Sequence, residues 1–242
     1  MDALLDLLNN NLTVILGGAL GGFLGLLLAY KDLGKIFRIF RTSTGEIVSV
    51  PVDEQVEIVG KADGEGSLHS PITKTPCVLW QVEVAERRRS GKSSRWVTVH
   101  SATSTAAFDV YDGTGRMRVY PSQGVELLLR ADASKSSGIF SSLDEQTQTA
   151  LSEMGVDTKG FLNLNKTLRV QERYIERGDQ IYLLGKTSSK VGARVMDGED
   201  SPLIVSDHSE LRLLGKFIWQ VFMNALAGVI VGILLSLYFT NR

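Results

Sequence analysis

The sequence predicts an α+β membrane protein in which two transmembrane helices flank one β-rich cytoplasmic domain, a sheet or small barrel with one short helix. Three observations predict it. Two uncharged apolar blocks lie near the ends of the 242-residue chain, the stretch between them is polar and alternating, and glycines recur every fourth position inside the blocks. Hydrophobic residues make up 43% of the chain and charged residues 22%, with a net charge of −1 and a mean hydropathy of +0.05. A mean near zero beside so many charges requires apolar residues to be segregated by position. The balanced charge argues against nucleic acid as a partner, since such binders carry a basic excess. A single cysteine, Cys77, excludes an intrachain disulfide and a cysteine-built zinc site. His69, His100 and His208 lack the spacing of metal-ligand pairs, so neither metal nor cofactor is expected.

Residues 1–11 read as a short extracytoplasmic tail and residues 12–30, LTVILGGALGGFLGLLLAY, as the first transmembrane helix, roughly 28 Å long. Asp2 and Asp6 stand where a signal peptide carries lysines, and no small-x-small site follows, which disfavours cleavage. Residues 31–43 form a basic juxtamembrane segment that continues the helix or lies on the lipid surface, with Ile36, Phe37, Ile39 and Phe40 as its apolar contacts. Residues 217–239, FIWQVFMNALAGVIVGILLSLYF, form the second span, roughly 34 Å long, and 240–242 the tail. Lys31, Lys35, Arg38 and Arg41 follow the first span, and Arg212 and Lys216 precede the second. This bias places the central domain in the cytoplasm of a two-pass cell-membrane protein, opposed only by Arg242.

Gly17, Gly21 and Gly25 form one row of small residues, Gly18 and Gly22 a second, and Gly228 and Gly232 a third. Such spacing lets helix backbones approach closely in lipid, where no hydrophobic drive pairs them. Gln220, Asn224 and Ser236 share the row of Gly228 and Gly232, and an amide there seeks a hydrogen bond across a helix pair. The partner is either the other helix of the chain or a second copy in a homo-oligomer.

Residues 44–216 read as the β-rich domain. GEIVSVPVDEQVEIVGKA holds two short runs interrupted by Pro51. Residues 77–100 form a long hairpin in which Trp80, Val82 and Val84 alternate with Gln81 and Glu83. Phe108 to Tyr111, the turn DGTG and Arg116 to Tyr120 form a second hairpin, VELLLRA follows, and LRVQERYIERGDQIYLLGKTSS ends in a buried strand from Gln180 to Leu184. Residues 141–154 read as the helix, with Ser142 as N-cap and Glu145 completing a capping box.

Catalytic constellations are fragmentary. Gly185-Lys186-Thr187 ends like a phosphate loop but lacks the glycine five positions earlier, where Gln180 stands. Asp207, His208 and Ser209 are consecutive and cannot face one another as a triad; a polar turn is expected. Cys77 beside Val78 and Leu79 reads as a buried structural thiol. Arg87, Arg88, Arg89, Lys92 and Arg95 surround the tip of the long hairpin. They are either a solvated end protected from aggregation or a contact to anionic lipid, a phosphate-bearing ligand or an acidic partner.

The order of SPITKTPCVLWQVEV, TAAFDVYDGTG, ERYIERGDQIYLLG and SPLIVSDHSE between two membrane helices resembles the GIDE (beside-a-membrane, BAM) domain family, over about residues 55–215. That family occurs in mitochondrial membrane ubiquitin ligases and in prokaryotic relatives. In the ligases a C-terminal RING domain with two zinc ions carries the activity. One cysteine and three residues after the second apolar block leave no RING here, so the resemblance implies the layout of the family without its ligase activity; the lack of targeting arginines and acceptor lysine machinery, with the compact layout, points to a prokaryotic source. The expected function is a non-enzymatic scaffold, assembly or partner-binding module, with membrane lipids, a second copy and a protein partner as its contacts. The alternatives are a membrane-bound hydrolase with an unrecognised site and a sensor of lipid or anionic ligand.

Overall fold

A computed structural model describes residues 2–42, 44–64, 68–121, 125–138, 141–160, 165–190, 193–197, 203–207 and 210–240. It divides into two compact units, one of residues 1–43 and 209–242 and the other of residues 44–208.

The first unit contains the helices α1 (Asp2–Leu28), α2 (Tyr30–Arg41) and α4 (Glu210–Thr240). The juxtamembrane segment does not simply continue the first helix: Ala29 forms a turn, and the amphipathic α2 follows with Ile39 buried. In α4, Leu214–Tyr238 is long and apolar enough to cross a membrane. The apolar part described in α1, Val14–Leu28, is shorter. The side chains of Asp2, Asp6, Lys31, Arg38, Phe40 and Arg212, and residues His208, Ser209 and Arg242, lie outside the described residues.

The second unit is β-rich, as expected, and contains a five-stranded barrel. Its strands are β1 (Gln55–Asp63), β4 (Phe108–Tyr111), β5 (Arg116–Tyr120), β10 (Ala193–Asp197) and β9 (Gln180–Lys190), paired in that order, with β9 returning to β1. The long β9 closes the ring because its first part pairs with β1 (Gln55↔Lys186 to Lys61↔Gln180) and its last part with β10. Gly60 permits the close approach of β1 and β4: a Cβ there would sit 2.7 Å from Val110 and 2.8 Å from the Tyr111 carbonyl. β11 (Leu203–Ser206) and β6 (Val125–Leu128) extend the sheet from β9. The interior is apolar, with Ile58, Phe108, Met117, Val119, Ile181, Leu183 and Val205 all buried.

A four-stranded antiparallel sheet of β3 (Ser93–Thr103), β2 (Leu79–Ser90), β8 (Leu168–Ile175) and β7 (Ala133–Ser136) adjoins this barrel. The long hairpin is therefore present, and its alternation is the expected one: Val82 and Val84 pack with Leu168, Val170 and Leu151. Gly91 turns the tip at φ +61, a conformation that favours glycine.

Two local expectations are corrected. Residues 47–49 form a turn, not a strand before Pro51, because Ile47 N donates to Asp112 (2.7 Å) and Val48 N to Thr114 (3.3 Å). The helix α3 (Glu145–Glu153) begins later than expected, with Asp144 and not Ser142 as its N-cap. Asp144 accepts from Thr147 N at 3.0 Å and from Lys135 Nζ at 2.9 Å, and a carboxylate suits the positive helix end.

The Lys135 hydrogen bond holds Asp144 down to about 2; burial opposes it, and the Thr147 bonds and the Lys135 charge add to the lowering. Because the folded value lies below the ordinary 3.8, this contribution to stability is present above about pH 3.8 and fades as pH falls towards 2. Asp144→Ala is expected to lower stability by ~1 kcal/mol at neutral pH, and the deficit should shrink in acid. Thermal unfolding of both proteins across that pH range checks it.

Candidate functional site

The sequence motif SPITKTPC builds a structural knot. Ser70, Thr73 and Thr75 bond through their hydroxyls at 2.7 and 2.8 Å. The buried Glu172 of β8 accepts Ile72 N at 2.7 Å, Thr73 N at 3.0 Å and the Thr73 hydroxyl at 2.7 Å. Gln146 of α3 donates to the Ile72 carbonyl at 2.6 Å. A second buried carboxylate, Glu57, accepts from Thr44 (2.6 Å) and from the Tyr182 hydroxyl (3.0 Å), on the face of β1 and β9 opposite the apolar interior. Both carboxylates are occupied by hydrogen bonds that hold the fold, which is how a buried charge is tolerated.

Cys77 is buried, as expected, just before β2. Burial pushes its thiol up to about 11, and the charges of Glu172 and Glu176 add to the rise. The thiolate that would act as a nucleophile is therefore scarce at neutral pH. Gly185, Lys186 and Thr187 lie within β9, and the Thr187 hydroxyl donates to the Pro51 carbonyl at 2.6 Å, so they form no phosphate loop. Asp207 pairs with Arg130 at 2.9 Å.

A cleft of about 220 Å³ is lined by Glu86, Arg88, His100, Asp157 and Lys166 among others. Arg88 Nε donates to Glu86 at 3.0 Å, and His100 Nε2 is buried without a hydrogen-bond partner. Among the described residues the lining has a base but no hydroxyl or thiol for it to activate. Among the described residues no three His, Cys, Asp or Glu side chains are placed to share a metal ion.

The structure divides the five basic residues of the hairpin tip. In the β2–β3 register Arg87 stands opposite Trp96, Arg88 opposite Arg95, and Arg89 opposite Ser94. Alternation therefore sets Arg87, Arg89 and Trp96 on one face and Arg88 with Arg95 on the other, while Lys92 occupies the turn. Arg169 of β8 joins the first face and stacks on the Trp96 ring, with its guanidinium carbon 4.2 Å from the ring centroid. Sequence reading missed Arg169 and Trp96 as members of this cluster, since the register of β8 on β2 brings Arg169 opposite Ala85.

In the first unit, all five glycines of α1 that the repeat singled out meet α4. A Cβ on Gly17 would sit 2.9 Å from the Gly232 carbonyl, and one on Gly21 would overlap the carbonyl of Gly228. Gly25 stands against the Asn224 carbonyl, Gly18 against Ile233 (3.2 Å) and Gly22 against Val229 (2.9 Å). Gly228 and Gly232 reciprocate, each meeting the backbone of Gly21 or Gly17. The repeat thus brings two backbones into contact within one chain. Gln220 is exposed and Asn224 half-buried, and among the described residues neither amide hydrogen-bonds across the helix pair.

A family model described as GIDE: E3 Ubiquitin ligase matches residues 81–237. The match begins in β2, later than the resemblance suggested, and runs on through most of α4. No curated protein and no solved structure matches the chain.

Proposed function

The chain belongs to the GIDE family, and from that premise we propose that it is a non-enzymatic two-pass membrane protein whose β-rich domain is a cytoplasmic assembly or partner-binding module. The observation that carries this reading is the glycine contact of α1 with α4, which makes the two helices a hairpin. The outward surfaces of that hairpin are apolar: Leu20 is 71%, Leu28 75% and Leu234 60% exposed. Lipid covers such a surface at no cost, whereas water does not. At 27 residues α1 extends ~40 Å, enough to accompany α4 across a bilayer.

Ligase activity through a RING is not part of this reading. Two zinc sites need about eight Cys and His ligands, and the chain has one cysteine, buried. The charge beside the helices supports the orientation, since Lys35 and Arg41 follow the first apolar block and Lys216 precedes the second.

Topology is read by one engineered thiol. Lys92→Cys at the exposed hairpin tip should resist a membrane-impermeant maleimide in intact cells and react once the cells are opened. Cys77, buried and with its thiol pushed up to about 11, should leave little background in the parent chain. Labelling of Lys92→Cys in intact cells would reverse the orientation, and release of the chain by alkaline carbonate would remove the membrane anchor itself.

A further inference from the structure

β3 is an outer strand: among the described residues it pairs with β2 alone. From Ser93 to Thr98 it keeps regular register with Ser90 to Ala85, and then Val99 is passed over where the register shifts. Six consecutive residues thus precede the irregularity, and every second one directs its backbone N–H and C=O away from β2. An exposed edge of that length is a template for a further strand. Its side chains are not those of a blunted, purely polar edge, for Trp96 and Val99 remain 38% and 37% exposed.

Charge decides what can occupy the edge. β3 carries Arg95 and no acidic residue, Lys92 adjoins it at the turn, and Arg87 and Arg89 lie on the neighbouring strand. A second copy of β3 laid alongside would set cation against cation, which opposes self-pairing. An acidic strand meets the opposite sign on both faces of the sheet.

We propose that β3 is a docking edge that takes an extended acidic segment of a partner protein as a fifth strand of this sheet. Backbone hydrogen bonds supply the pairing, Arg95 and Arg87 select for carboxylates, and Trp96, held by Arg169, offers an apolar contact to the alternate side chains. The proposal rests on the reading of the β-rich domain as a partner-binding module and names the class of partner.

The test uses the full chain in uncharged detergent and a fluorescent peptide of alternating glutamate and valine, with binding read by anisotropy. The expected result is binding that weakens with salt, is absent for a lysine–valine peptide, and is lost when alternate peptide nitrogens are methylated. Arg95→Glu should weaken binding ~10-fold or more and Arg95→Gln by less, each with unchanged thermal unfolding. Absence of binding, or equal binding of the methylated peptide, overturns the proposal, since charge alone would then account for the contact. Displacement of the peptide by phosphatidylserine vesicles but not by phosphatidylcholine vesicles would assign the surface to lipid and also overturn it. Alkaline extraction of the same proteins reads the anchor separately. A chain that stays in the membrane but binds no peptide refutes the docking edge alone, and one that binds but is extracted refutes the anchor alone.

Discussion

Glu172→Ala is expected to lower the stability of the β-rich domain by ~3–5 kcal/mol, a fall in melting temperature of ~10 °C, because it removes the acceptor for three hydrogen bonds at once. The truncation leaves the N–H groups of Ile72 and Thr73 without their carboxylate in a place where Ile72 is only 1% exposed. Each such orphan costs roughly 1–3 kcal/mol, and the lost side-chain volume adds a cavity. The loop has little to fall back on, since Lys74 already holds φ 58, which a side chain rarely adopts. Glu172→Gln keeps the size and one acceptor oxygen, so it should lose only part of that stability. Thermal unfolding of the full chain in detergent, followed by tryptophan emission, measures both. An alanine variant within ~0.5 kcal/mol of the parent would show that the hydroxyl cluster of Ser70, Thr73 and Thr75 holds the loop without the carboxylate.

The second large effect belongs to the helices. Gly21→Leu should part α1 from α4, because the new Cβ falls on the Gly228 carbonyl, which is backbone and cannot rotate away. Overpacking of this kind costs ~1–3 kcal/mol even in a core that can adjust. In lipid no hydrophobic drive restores the pair once close contact is lost. Gly228→Leu should act alike, since its Cβ falls on the Gly21 carbonyl in return. Gly18→Ala should be milder, as its new Cβ meets side chains and no backbone, with Ile233 Cγ1 nearest at 3.2 Å. Gly215→Ala is the control, with nothing within 4 Å of its Cβ. Spin labels at Leu28 and Trp219, both exposed, report the separation as a longer and broader distance distribution in the leucine variants. An unchanged distribution would mean that the helices are held by something other than these glycines.

Much of the local structure was legible in the residues. The hairpin of β2 and β3, the DGTG turn between β4 and β5, and the helical residues after Asp144 follow from period-two alternation, turn chemistry and capping, which act within a few positions. Where the reading slipped, a distant partner had intervened. The run at Ile47 and Val48 alternates well enough for a strand, yet Asp112 and Thr114 claim its N–H groups from 65 and 66 positions away. Ser142 is an adequate N-cap by type, but Lys135 and Thr147 both favour the carboxylate of Asp144. The basic tip was visible as a run of arginines. Its division into two faces was not, because that depends on which residue of β3 and β8 stands opposite each one.

By itself the sequence determined that apolar residues are gathered at the two ends and that a β-rich domain lies between them, and it marked Cys77, beside Val78 and Leu79, as the buried thiol it is. These properties depend on length, periodicity and composition, which are local or additive. Only the tertiary structure decided that β9 closes a five-stranded barrel by pairing with both β1 and β10, and that Glu172 ties down a loop a hundred residues before it. It alone set the glycines of α1 against those of α4, and left β3 paired, among the described residues, with β2 alone, beside cations. Strand order and buried polar pairing join positions far apart in the chain. Their energy exists only once both partners have been brought together and dried.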